Sequence, residues 1–210
     1  MTRSRKVPTS DSFYGEAAKE YATAKWMRRI QRKTTKRVLE LIQEARIGGS
    51  LPKSSKNGII LDIGCGNGFS AEAFVEAGFP RIIGVDVSRD MLELCVIDFP
   101  IVEAHMVYLP FRDNTFEAII SISAMNFLTQ HVIDERITKQ LYNKFAHAIK
   151  NILIDGGRGV IEFYPKDEEE LAIIGKSFGK SNTGFNAFLV IDKPNTRKEQ
   201  KFLIFRNITD

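Results

Sequence analysis

Residues 61–68 read LDIGCGNG, with glycines at 64, 66 and 68 behind an aspartate, and no other stretch so narrows what this chain can become. The run before it, Gly58 to Ile60, is apolar and β-branched, and the FSAEAFVEAG after it has helical spacing. A strand must therefore turn sharply into a helix here. Lacking a Cβ, the three glycines permit positive φ and let a ligand lie against the main chain. In an open parallel sheet the first strand-to-helix turn usually lines the ligand crevice, beyond the carboxyl ends of the strands. A dinucleotide fingerprint counted from Gly64 would need its third glycine at 69, and that residue is Phe69. The spacing is D-x-G-x-G-x-G instead. Asp62, at the strand end, can order the turn or receive a cationic group, which a pyrophosphate ligand does not favour.

Beyond this turn the chain alternates. Strands are expected at 59–63, 82–86, 101–106, 117–122 and 158–163, with helices at 69–77, 89–97 and 135–151 between them. That order predicts a doubly wound α/β fold, a mostly parallel sheet with helices on both faces. Two further apolar strands follow near 186–191 and 201–206. Ahead of the sheet, Ala18, Tyr21, Ala22, Trp26, Ile30, Val38, Leu41, Ile42 and Ala45 recur mostly at three or four residues and predict one long helix over 16–46. Gly48 and Gly49 end it, and Trp26, the only tryptophan, is assigned to the core. The pair Gly156 and Gly157 reads as the left-handed stop of the 135–151 helix. The length fits one domain. Its parts are a basic arm at 1–15 and a domain at 16–210, made of a helical extension (16–46), a ligand-binding core (58–165) and a closing helix with a strand pair (166–210).

Composition excludes several classes. Residues 1–50 hold 12 Lys/Arg against 5 Asp/Glu, whereas 51–210 hold 18 against 21, so the positive charge is gathered at one end. Such a block is either a phosphate-contacting surface or a solvated helix face. No apolar run approaches the roughly 20 residues of a bilayer span, and the basic amino terminus lacks the apolar stretch of a secretory signal. The two cysteines, Cys65 and Cys95, suit neither a zinc site nor a disulfide framework, so no metal site and a cytoplasmic setting are expected.

A second signal stands 22 residues after Gly64, where VDVS places Asp86 at the end of the second strand. One carboxylate can accept from both hydroxyls of a ribose, and the step matches one strand-helix-strand unit. Turn and acid together point to a nucleoside cofactor. LDIGCGNG, VDVS and LPFRDNTFEAIIS, in that order, resemble the class I S-adenosylmethionine-dependent methyltransferases over residues 59 to about 165. The resemblance implies a seven-stranded sheet of order 3-2-1-4-5-7-6, with strand 7 antiparallel. It implies that Gly64, Gly66 and Gly68 lie against the methionine part of the cofactor with Asp62 and Cys65 nearby. Asp86 would hold the ribose beside Val87, Met91 would cover the adenine, and Met106 and Ser123 would complete the pocket. Where the family usually has Asp for the adenine amino group, this chain has His105, whose neutral ring can accept through one nitrogen. S-adenosylhomocysteine would be the product.

A narrower likeness spans nearly the whole chain. FYGEAAKEYATAKWMRRIQRKTTKRVLELI, ISISAMNFLT, LYNKFAHAIKNIL, IEFYPKDEEELAII and VIDKPNTRKEQKFLIF resemble the methyltransferases that modify guanine N7 in small-subunit ribosomal RNA, and their archaeal relatives. Guanine N7 has an in-plane lone pair and no proton, so its methylation needs positioning rather than a general base. In SAMNFLT Asn126 can bond a base edge, and Phe127 or Tyr164 can stack on a splayed base, the other readings being Phe127 in the core and Tyr164 as a cap of the fifth strand; the resemblance implies that Tyr21 lies over the cofactor pocket. Arg28, Arg29 and Arg32, with Arg3, Arg5 and Lys6, would meet RNA phosphates. A small zinc-binding activator protein would dock near the edge strand at 101–106. Two other readings share the cofactor half: a small-molecule methyltransferase acting on a quinone or lipid, and a non-catalytic RNA-binding assembly factor.

Overall fold

The computed structural model describes residues 10–49 and 58–208. Arg3, Arg5, Lys6 and most of the basic arm lie outside them. Seven strands form one sheet: β1 Ile60–Ile63, β2 Ile82–Asp86, β3 Ile101–Glu103, β4 Phe116–Ile122, β5 Leu153–Phe163, β6 Phe185–Asp192 and β7 Gln200–Asn207. Their order is β3-β2-β1-β4-β5-β7-β6. The first five strands are mutually parallel, and β7 runs antiparallel to both β5 and β6. This is the expected topology. Its switch point falls between β1 and β4, and the crevice opens beyond their carboxyl ends.

Helices cover both faces. They are α1 Gly15–Thr23, α2 Lys25–Leu41, α3 Phe69–Glu76, α4 Arg89–Glu93, α5 Glu135–Ile152, α6 Glu168–Ser177 and α7 Lys180–Thr183. Alternate residues of β4 point to opposite sides: Ile119 joins Phe145 and Ile149 of α5, while Ile120 joins Val38 of α2 and Phe74 of α3. Every residue of β1 is buried, as a strand covered on both faces must be. Among the described residues, no helix is long and apolar enough to cross a membrane.

Three expectations need correction. The helix over 16–46 is broken: Ala24 is extended, with φ −70° and ψ 100°, and a short 3-10 turn at Ala45–Ile47 follows α2. No glycine or proline marks the break. α1 is drawn to α4, where Gly15 N–H donates to Asp90 Oδ2 at 2.6 Å, while α2 packs on α3, and one straight axis cannot serve both. The break shifts the helical phase, so Met27, Thr34, Thr35, Val38 and Leu41 form the buried face of α2. Trp26 is left 38% exposed, not in the core. Finally, α5 runs straight into β5, so the 156–157 glycines lie inside a strand. Gly156, at φ 72°, sits where the β4–β5 register jumps from Phe116↔Leu153 to Ala118↔Arg158, which makes it a bulge residue rather than a helix stop.

Candidate active site

All three glycines of the turn have positive φ: 74° at Gly64, 53° at Gly66 and 80° at Gly68. Their surroundings differ. A Cβ on Gly64 would lie 2.2 Å from the Ala124 Cβ, and one on Gly68 would lie 2.9 Å from the Phe99 ring, whereas one on Gly66 would meet only the Met91 Cε, at 3.3 Å. Gly64 and Gly66 line the cavity, while Gly68 packs behind it. Asp86 fixes the turn from β2: its Oδ2 accepts from Gly66 N–H at 2.8 Å and its Oδ1 from Ser88 N–H at 2.9 Å. Behind the turn, Asp62 accepts from the Ser70 hydroxyl, and its Oδ1 is buried without a partner among the described residues. Burial pushes the Asp62 carboxyl up to about 7 and raises that of Asp86 as well. Asn67, inside the turn and on the cavity wall, has its Nδ2 buried and unpartnered among the described residues.

The amino-terminal segment roofs the cavity. Ser88 Oγ donates to the Phe13 carbonyl at 2.5 Å, and the Phe13 ring stands edge-on to Tyr21 at 5.2 Å and to Phe127 at 5.0 Å. Gln31 of α2 donates to the Tyr21 hydroxyl at 3.0 Å. Among the described residues no lysine or arginine lines this cavity, whereas Asp86 is half-buried in its wall and the carboxyl groups of Asp62 and Glu162 are buried close behind it. An enclosed acidic crevice of this kind favours a ligand that carries positive charge.

The wall opposite the turn is the segment after β4, SAMNFLT, and it is tied down along its length. Ser123 has φ 56°, rare for a residue with a side chain. Its N–H donates to the Glu162 carbonyl at 3.1 Å and its hydroxyl to Glu162 Oε2 at 2.5 Å. At the other end Thr129 Oγ1 donates to Glu170 Oε1 at 2.7 Å, and the Tyr142 hydroxyl donates to the same oxygen at 2.9 Å. In the middle Asn126 Oδ1 accepts from Tyr164 N–H at 3.0 Å. Glu162 is fully buried and also takes bonds from Gln200 Nε2 at 3.3 Å and from the Tyr164 hydroxyl. Burial and the neighbouring Glu162 raise the Tyr164 hydroxyl pKa, which keeps it protonated.

A family model described as a methyltransferase domain matches residues 60–150. The chain is 30% identical to the probable 18S rRNA (guanine-N(7))-methyltransferase of Dictyostelium discoideum, over 97% of this chain and 69% of that protein. It is 31% identical to the 18S rRNA (guanine(1575)-N(7))-methyltransferase of Saccharomyces cerevisiae, over 94% of this chain and 69% of that one. The chain belongs to this family. Among solved structures, the Haemonchus contortus phosphoethanolamine N-methyltransferase 2 in complex with S-adenosyl-L-methionine shares the fold. Its TM-score is 0.65 at 14% identity, over 95% of this chain and 59% of that one. A Pyrococcus horikoshii protein gives a TM-score of 0.60 at 16% identity, over 93% and 100%.

As a member of the 18S rRNA (guanine-N(7))-methyltransferase family, the chain is an S-adenosylmethionine-dependent enzyme, and its cavity fits that cofactor. The cofactor's ammonium and sulfonium suit the acidic surroundings. The unpartnered Asn67 Nδ2 is a donor for its carboxylate, Asp86 an acceptor for ribose hydroxyls, and the bare edge of Gly66 leaves room for the chain between them. Tyr21, Cys65, Val87, Met91, His105, Met106, Ser123 and Phe127 all line the cavity. Burial pushes the Cys65 thiol up, so it packs as a small apolar group. His105 Nδ1 accepts from Val107 N–H at 3.3 Å, which ties the ring to the backbone at the cavity wall.

Other expected residues lie elsewhere. Asp62, Gly68, Asn126 and Tyr164 stand behind or beside the cavity wall. Arg28, Arg29 and Arg32 form a surface groove with Lys25, Lys33 and Lys36. Two of these arginines are already paired: Arg28 with Glu72 at 2.5 Å and Arg32 with Glu76, both on α3. Phe13, Gln31, Asn67 and Ser88 were not singled out from the sequence. Asn67 lies within the LDIGCGNG motif and Ser88 within VDVS, so both could have been found there; nothing local marks Phe13 or Gln31.

Proposed function

We propose that this chain methylates N7 of a guanine in small-subunit ribosomal RNA during ribosome biogenesis. What carries the reading is the placement of the acids: Asp62 and Glu162 lie behind the cavity wall, bonded to Ser70 and Ser123, and Asp86 is committed to the N–H groups of Gly66 and Ser88, so none stands against an acceptor as a base. Such a site cannot readily take a proton from an amine or hydroxyl. It suits an acceptor that has none, and the catalytic work falls to holding the base in line. The cofactor, when bound, supplies a methyl group on a cationic sulfur. The chain's own part is to orient: the glycine turn and Asp86 fix one side, and the tied Ser123–Thr129 segment fixes the other.

The RNA surface of this reading is the α2 groove. Arg29, exposed and without an ion pair among the described residues, and the lysines beside it offer charge to phosphates, while Arg28 and Arg32 also hold α2 to α3. The zinc-binding activator belongs at β3, which closes one edge of the sheet with Ile101 40% exposed, and Tyr108 just beyond is 69% exposed. The deciding experiment incubates the chain, with and without that activator, with methyl-labelled cofactor and purified small ribosomal subunits, then maps the label. Label on a guanine at N7 is expected, with higher yield and solubility when the activator is co-expressed. Label on protein or on free small molecules overturns the reading. A flat plot of log affinity against log salt removes the phosphate contacts.

A further inference from the structure

The side chain of Asn126 has a fixed direction. The backbone N–H of Tyr164 can only donate, so the amide atom it meets at 3.0 Å must be the oxygen. The Nδ2 group then faces the other way, and its two N–H donors have no hydrogen-bond partner among the described residues. Asn126 sits between Ala124 and Phe127, both of which line the cavity, in the 3-10 turn Met125–Leu128 that follows β4. The cavity fits the cofactor, so an acceptor base has to reach it from outside. A group that reads that base has to stand beside the cavity and open to solvent, and Asn126 is beside it and half-buried.

Guanine and adenine share N7 and differ beside it. On that edge guanine shows an acceptor, O6, and adenine shows a donor, the N6 amino group. The N7 lone pair is consumed by the reaction, so O6 is the neighbouring atom left to recognise. We propose that Asn126 Nδ2 donates to O6 of the target base and thereby selects guanine over adenine. This rests on the guanine-N7 reading above and goes beyond it by naming the atom that reads the base. The donor is set before RNA arrives. Ser123 and Thr129, on either side, are bonded to the buried Glu162 and Glu170, so the segment does not need to reorganise on binding. An adenine would set its amino donor against the amide donor and leave both unpaired, the arrangement that gives the strongest discrimination per contact.

The test is single-turnover methylation by the full chain of small-subunit RNA carrying, at the mapped target position, guanosine, inosine or 2,6-diaminopurine riboside. All three keep N7; inosine also keeps O6, and diaminopurine replaces it with an amino group. For the unaltered chain, inosine should react close to guanosine and diaminopurine roughly 10- to 100-fold more slowly. In Asn126→Ala the guanosine rate should fall and its ratio to the diaminopurine rate should collapse toward one. Asn126→Asp keeps an acceptor for the Tyr164 N–H but turns an oxygen toward O6, so it should be slower on guanosine than Asn126→Ala. Cofactor affinity, read by calorimetry, should stay near the unaltered value in both. Equal rates on guanosine and diaminopurine by the unaltered chain would overturn the proposal, and that arm needs no variant to fold. An unchanged ratio in both variants would overturn it too, leaving Asn126 as a structural tie. If the unaltered chain leaves every guanine unmethylated, the reading of the reaction fails instead.

Discussion

The glycine turn and the SAMNFLT segment face one another across the cavity and are built by opposite means. The turn is held by its own backbone: three positive φ values and an acid 20 residues away that accepts from Gly66. The segment has ordinary side chains and is held at Ser123 and Thr129 by carboxylates that arrive 39 and 41 residues later. Local conformation shapes the cofactor side, and a long-range polar network shapes the acceptor side. The first kind of construction breaks when a methyl group is added. The second breaks when a hydrogen-bond partner is removed.

The largest expected effect tests the turn. Gly64→Ala combines an unfavourable φ with a Cβ placed 2.2 Å from Ala124, and should destabilise the fold by roughly 3–5 kcal/mol. Adding Ala124→Gly should restore part of that, since it relieves the contact and leaves the φ. Thermal melting of the single and double variants decides it, and a single variant as stable as the parent would disprove the packing account.

Asp62 gives the next effect, seen with pH. Its carboxyl is near 3.8 when unfolded and about 7 when folded and free of cofactor, so the folded chain binds more protons between those values. Stability should therefore fall as pH rises from about 4 to about 7, by a few kcal/mol at about 1.36 kcal/mol per unit. Asp62→Asn should flatten that slope in denaturant titrations. A slope of opposite sign would mean that the buried acid has a cationic partner.

Asp86→Ala removes the acceptor for Gly66 and Ser88 and the expected ribose contact, and should weaken cofactor binding by roughly 100-fold. Unchanged calorimetric affinity would remove that contact. The smallest effect contrasts the two sides directly. Glu162→Gln keeps the shape but replaces one of the two acceptor oxygens shared by Ser123, Tyr164 and Gln200 with a donor, which should cost about 1–2 kcal/mol. Turnover should fall while cofactor affinity holds, because the damage lies on the acceptor wall. Equal loss of both would join the two sides into one network.

Much of the fold was legible because the signals were local. The period of apolar residues located all seven strands to within a few residues, and only the start of β5 was missed by more, since the Gly156 bulge lets a strand begin directly at the end of α5. The break at Ala24 was hidden for the converse reason: nothing in YATAKW disfavours helix, and only the pull of α4 and α3 on two halves of one segment bends it. Trp26 moved to the surface with that bend. In the site, glycines and Asp86 announce themselves by spacing. The bonds of Glu162 and Glu170 to Ser123 and Thr129 leave no local mark, because a buried glutamate in a strand or helix reads like any other until its partners are brought to it.

By itself the sequence determined a parallel sheet with a bare turn after its first strand and an acid after its second, since backbone freedom and hydrophobic period are properties of neighbouring residues. Which acids lost their water, which way the Asn126 amide faces and which arginines are spent on α3 were decided only by tertiary structure. Desolvation and hydrogen-bond direction depend on what lies across space, and distance along the chain carries no record of that.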